Sequence, residues 1–392
     1  MKTVYPFLFF SFCFTLLNCQ PKEQELKITE YINPFIGTAN HGHCFPGAIV
    51  PFGGIQLSPD NPRSGWDWGS GYHYTDSIIS SFSLTHLSGT GIGDLQDIRF
   101  LPVISRPDTS ISPAEYIQSG YARFSHNNEH AEPGYYSVVF DNGIKTELSV
   151  TQRCGILYYQ YPDHTAHALT IDLSTARNWD NTIETSIRKI NNRTLEGYRK
   201  SRGWASDQRV YFVIEFSQDC QVLAGKDNLT PLENGQRFTG TGCYLWIDFG
   251  DKTNKILAKV SISSANTEGA LANLEKEISH WSFDKVKKDA KHNWKRELQK
   301  IKAESDNEDN LTNFYTALYH AYTAPYTFSD VNGNYKGPDG EIHSVRNHIQ
   351  YTVFSLWDTY RASHPLFTIT QRKRAGDMIN SMLKHYDAYG LL

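Results

Sequence analysis

The sequence predicts an antiparallel β-sandwich followed by a set of amphipathic helices. Three observations carry this. Apolar residues recur at every second position through much of residues 30–265, the period of a strand with one buried face. Near residue 267 the spacing changes to three and four, the period of a helix with one apolar stripe. Aromatic residues make up 13% of the 392 residues and hydrophobic ones 39%, enough to fill a large core. Such a composition excludes a mainly disordered chain. At about 150 residues per domain, the length allows two or three domains. The net charge of -4 argues against a nucleic-acid partner, which would need basic surface.

The elements follow in order. Residues 1–19 (MKTVYPFLFFSFCFTLLNC) read as an export signal, with Lys2 ahead of an apolar run from Val4 to Leu17. That run is too short for a comfortable membrane span. Leu16-Leu17-Asn18-Cys19 resembles a bacterial lipobox, so Cys19 is the expected lipidation site. This predicts an exported lipoprotein of the bacterial outer membrane, periplasmic or surface-facing and tethered by residues 20–28. In the sandwich region, Leu169, Ile171 and Leu173 alternate with Thr170 and Asp172. Phe212, Ile214 and Phe216 fall on one face, as do Leu245, Ile247 and Phe249, and Ile256, Ala258, Val260 and Ile262. Asp141-Asn142-Gly143 signals a hairpin, because Asn-Gly tolerates positive φ.

Beyond residue 267, Leu271, Leu274, Ile278 and Trp281 mark one helix, and Val286, Ala290, Trp294, Leu298 and Ile301 a second. A third carries Leu311, Phe314, Leu318 and Tyr322 and ends before Pro325. Residues 331–340 read as a turn-rich loop, and Thr352–Tyr360 and Gln371–Tyr386 as two further helices. Helices so few do not close a helical domain, since each must bury its stripe. The chain stops directly after one of them, which predicts a fragment or an early stop. Cys44, Cys154, Cys220 and Cys243 match no zinc or haem spacing and read as buried free thiols, although an exported protein also permits one disulfide.

The densest stretch is Asn33–Phe100, where Gly, Pro, Trp and His crowd loop-like sequence. Glycine lets a backbone approach a ligand, and tryptophan offers a flat face to the C–H surface of a sugar. The competing account is a set of tight turns capping a sandwich. His41-Gly42-His43-Cys44 could ligate a metal, but no fourth ligand is evident and a hydrogen-bonded turn is favoured. His126-Asn127-Asn128-Glu129-His130 fits the spacing of an inverted zinc-protease motif. That chemistry needs a helix, and Pro133-Gly134 follow at once, so a polar loop is expected. Asp358 and Arg361 are spaced to pair within a helix.

The motifs Tyr31–Thr38, Phe45–Asp60, Ser70–Tyr74, Thr85–Thr90, Glu132–Tyr136, Phe314–His320 and Ser355–Arg361 occur in this order along the mature chain. Together they closely resemble glycoside hydrolase family 92, a family of exo-acting α-mannosidases. The resemblance implies a β-sandwich over 29–266, a helical linker over 267–305, and the first helices of an incomplete (α/α)6 barrel over 306–392. It implies hydrolysis of terminal α-mannose from glycans or glycoproteins with inversion, assisted by Ca2+. Inversion requires two carboxyls about 6.5–9.5 Å apart. The family is roughly twice this length, so the acid, the base and most calcium ligands are expected beyond residue 392, with no catalytic residue in this chain. The positions carried over are Trp66 and Trp68 as pocket aromatics, His86 as a pocket polar group, and Trp357 with Asp358 as a clamp on mannose hydroxyls. Cys44 and Gly54 depart from the residues more usual in the family. The alternative is a non-catalytic glycan-binding lipoprotein.

Overall fold

The computed structural model describes residues 27–108, 110–175 and 179–391. The export signal and Cys19 lie outside the described residues. An antiparallel sandwich comes first, and helices follow. One sheet has seven strands, in the order 58–60, 81–83, 99–103, 168–172, 244–248, 221–225 and 230–231. The other has ten, in the order 237–240, 181–191, 194–202, 208–216, 255–263, 154–160, 145–150, 135–140, 122–132 and 78–79. The alternating residues identified above point inward from both sheets. Ile171 lies opposite Leu245 on one neighbouring strand and Phe100 on the other. These residues share one core with Phe212, Ile214, Ala258 and Val260 of the facing sheet.

The outer faces are also covered, so strand Ala168–Asp172 is buried on both sides rather than half-buried. Helix Pro113–Ser119 packs Tyr116 and Ile117 over Leu101, Ala168 and Trp246. Its start is a capping box: Ser112 accepts from the Glu115 N–H while Glu115 accepts from the Ser112 N–H. Helix Thr267–Glu277 covers the larger sheet, burying Ala270 and Leu274 against Cys154, Ile156 and Val213.

Helix Phe283–Leu298 is capped by Ser282 and buries Val286, Ala290, Trp294 and Leu298, the expected stripe. It crosses the sandwich at Gly134, whose φ of +83° suits the turn of Glu132–Tyr136. A Cβ at Gly134 would stand 2.5 Å from that of Ala290, so glycine is needed for the helix to dock. Helix Glu308–Ala321 follows and shares a core with Trp294, Ile49 and Phe52.

Three local expectations are corrected. Thr352–Tyr360 is not one helix: Tyr351–Thr352 pair with Tyr326–Thr327 as a short ladder, and only Leu356–Thr359 make a helical turn. Residues 331–340 contain a strand, Asn334–Lys336, paired with Ile342–Ser344. His126–His130 lies within strand Ala122–Glu132, whose register shifts between Phe124 and Glu129, rather than in a loop. The four thiols at Cys44, Cys154, Cys220 and Cys243 are free and buried.

Candidate functional site

The motif-rich loops gather where the sandwich meets the helices. Hydrogen bonds between distant segments hold that junction. Phe52 N–H donates to the Tyr322 carbonyl at 2.8 Å, and Thr327 N–H to the Phe52 carbonyl at 3.0 Å. Asn33 N–H donates to Thr316 Oγ1 at 3.0 Å, and His320 Nε2–H to the Ile36 carbonyl at 3.1 Å. Tyr326 Oη donates to the His86 carbonyl at 2.9 Å, and Trp294 Nε1 to that of Ile49 at 2.6 Å. Gly54 belongs to this seam, because a Cβ there would lie 2.5 Å from the Thr327 carbonyl oxygen. Among the described residues, six of the eight non-glycine residues with positive φ fall between Asn40 and Ile98. Such strain persists where surrounding contacts over-determine the backbone, as in ligand-binding loops.

One anchor of these loops is Asp60. Its carboxylate accepts from Ser81 Oγ at 2.7 Å, Ser83 Oγ at 3.1 Å and His86 Nε2 at 2.9 Å. Burial by itself would raise the Asp60 carboxyl, but the His86 ring, Arg99 and these donors hold it below the usual range. His86 is fully buried, and its Nδ1 lies 2.8 Å from the Gln56 carbonyl. Both ring nitrogens are therefore engaged by protein, and the side chain supports the loops from behind instead of facing solvent. Sequence alone gave no view of this, because the partners lie 26 and 30 positions away.

The aromatic residues sit above that anchor. Trp66 is 57% exposed and meets the edge of His43 at a centroid distance of 4.3 Å and the His41 ring at 5.0 Å. Its indole rests on Gly91, where a Cβ would be 2.0 Å from Trp66 Nε1. Trp68 donates from Nε1 to Asp76 Oδ2 at 2.7 Å and packs against His73. His41 pairs with Asp67 at 2.6 Å. His43 is 7% exposed, and neither ring nitrogen has a hydrogen-bond partner among the described residues. Burial, with His41 and His73 nearby, lowers its pKa against the pull of Asp67, so the ring is neutral at neutral pH.

Trp357 and Asp358 stand on the helical side. Trp357 is 82% exposed, the most open large apolar residue among those described. Asp358 takes a hydrogen bond from Ser355 Oγ, while Arg361 Nε turns to Tyr360 Oη, so the intrahelical ion pair is not made. The structure thus brings Trp66 and Trp68 together on one loop cluster, sets His86 beneath it, and leaves Trp357 and Asp358 on a separate turn.

Calcium takes six to eight oxygen ligands. Among the described residues no group of three His, Cys, Asp or Glu side chains could hold a metal ion. The carboxylates beside the tryptophans are already engaged, Asp60 by its three donors, Asp67 by His41, and Asp76 by Trp68. The described residues do not by themselves fit the ion.

Comparison with known proteins decides the family. Residues 31–263 match the glycosyl hydrolase family 92 N-terminal domain, and residues 269–392 the catalytic domain of the same family. The chain belongs to glycosyl hydrolase family 92. A solved family 92 α-mannosidase of Bacteroides thetaiotaomicron is 35% identical, with a TM-score of 0.85 over 92% of this chain and 50% of that one. The same enzyme has been solved with mannoimidazole bound. An inverting family 92 mannosidase of that organism is 25% identical, with a TM-score of 0.79 over 93% of this chain and 49% of that one. A secreted glycosidase of Arthroderma benhamiae is 24% identical, over 86% of this chain and 46% of the relative. The chain therefore spans about half the length of these relatives. The sandwich and the helices after it correspond to the family's β domain and the start of its helical barrel.

Proposed function

We propose that this chain is the N-terminal part of an exported α-mannosidase that removes terminal mannose from glycans by inversion with calcium. The observation that supports it best is the match to both family 92 domains, with 35% identity to an α-mannosidase across nearly the whole chain. In this proposal the two carboxyls of an inverting enzyme, about 6.5–9.5 Å apart, lie outside these 392 residues. The ligands of calcium, like the two carboxyls, lie outside the described residues in this proposal. The chain's own residues bind and orient. Trp66, with Trp68 behind it, offers an apolar face to the C–H surface of a mannose. Asp358 accepts hydrogen bonds from sugar hydroxyls, and Trp357 covers the ring from the helical side. Asp60 and His86 hold the sandwich loops in place. Export with a lipid at Cys19 would bring the enzyme to glycans outside the cell.

The test is hydrolysis of a nitrophenyl α-mannoside by the full-length protein, followed by proton NMR of the first-formed sugar. The expected first product is β-mannose, with activity lost on calcium chelation and no turnover by residues 1–392 alone. Initial release of α-mannose would refute inversion, and turnover by this chain alone would refute the placing of the two carboxyls outside it. Binding of mannosides without any turnover by the full-length protein would favour the glycan-binding alternative.

A further inference from the structure

We propose that Trp179 and Trp204 form a second sugar platform, which holds an inner sugar of a glycan whose terminal mannose lies at Trp66. The proposal rests on the α-mannosidase assignment above. Trp179 is 50% exposed and Trp204 70% exposed. Their ring centroids are 5.9 Å apart and the planes are tilted by 30°, so each indole keeps a large open face. An open tryptophan pair is an unusual surface for a soluble domain, and its chemistry suits a ligand with an apolar face and polar edges.

The backbone at Trp179 and beside Trp204 is held by named contacts. Trp179 N–H donates to the Gly93 carbonyl at 3.1 Å. Ala205 N–H, next to Trp204, donates to Asp94 Oδ2 at 3.1 Å. Gly203 is pressed against Asp94, where a Cβ would stand 2.5 Å from Oδ1. Below them, Arg199 is buried between Asp97 and Asp180, the neighbour of Trp179. Indoles on such a base lose little freedom when a ligand arrives.

Position links the pair to the first site. Gly91 touches the Trp66 indole, and Gly93 holds the backbone of Trp179. Two residues span at most about 7 Å, so the two surfaces share one rim. An oligosaccharide running along this rim would meet both surfaces at once. The ligand class is therefore a mannose-ended oligosaccharide, read by stacking on its inner units.

The test compares kcat/KM of the full-length enzyme for a mannose-ended oligosaccharide and for nitrophenyl α-mannoside, in the wild type, Trp179→Ala and Trp204→Ala. Loss of one stacking face is expected to lower the oligosaccharide-to-monosaccharide ratio about five- to tenfold. Trp204→Phe, which keeps a smaller face and guards against misfolding, should fall between. An unchanged ratio overturns the platform while leaving the mannosidase assignment intact. So does poor acrylamide quenching of both tryptophans in the full-length enzyme, which would show that other protein covers them. A wild type that cleaves neither substrate removes the mannosidase assignment and this proposal together.

Discussion

Replacing Asp60 with alanine removes the acceptor of three buried hydrogen bonds, from Ser81, Ser83 and His86. Each buried donor left without a partner costs about 1–3 kcal/mol, and some of this is recovered if water enters the gap. The expected destabilisation is therefore about 3–5 kcal/mol, read as a lowered urea midpoint by circular dichroism. His86→Ala removes one of the same bonds, so the two changes should be non-additive by about 1–3 kcal/mol in a double-mutant cycle. pH gives a further check. The Asp60 carboxyl sits below its usual range in the folded state, so its contribution is present above the unfolded value, near 3.9, and is lost as pH falls through the folded one. The gap between wild type and Asp60→Ala should accordingly be full at neutral pH and shrink below about pH 4. A loss under about 1 kcal/mol at pH 7, or strict additivity with His86→Ala, would refute the view that this carboxylate anchors the loops.

Three more outcomes are expected. Trp294→Ala, which empties a fully buried site and strips the Ile49 carbonyl of its donor, should cost about 3–5 kcal/mol by the same urea assay; a midpoint like that of wild type would count against the docking of this helix. His43 should titrate by NMR below the ordinary histidine value, because burial disfavours its charged form, and a value above 6.5 would contradict its setting. Cys154, Cys220 and Cys243, whose thiol pKa values are pushed up by burial, should resist a thiol reagent in the native protein and react once urea unfolds it; fast native labelling at these positions would show that the sandwich opens there.

Period and composition were sufficient for the large features. Alternation at Leu169–Leu173 and Val210–Phe216, then helical spacing from Val286 to Leu298, follows from which faces must leave water, and that information is local. The helix that the Ser112–Glu115 capping box starts was not read from the sequence, because it has too few apolar residues to announce itself by period. What the tertiary structure alone decided are contacts between distant segments. The Tyr351–Thr352 ladder exists because Tyr326–Thr327 lies beside it, and this overrides the local helical pattern. His86 reads as a polar loop residue, but Asp60 and Gln56 enclose it. Trp179 and Trp204 are 25 positions apart in sequence and meet only because Gly93 and Asp94 tie their two loops to the same base. Burial and pairing depend on the whole fold, whereas periodicity depends only on neighbours; the architecture was therefore open to reading from residues, and the disposition of the site was not.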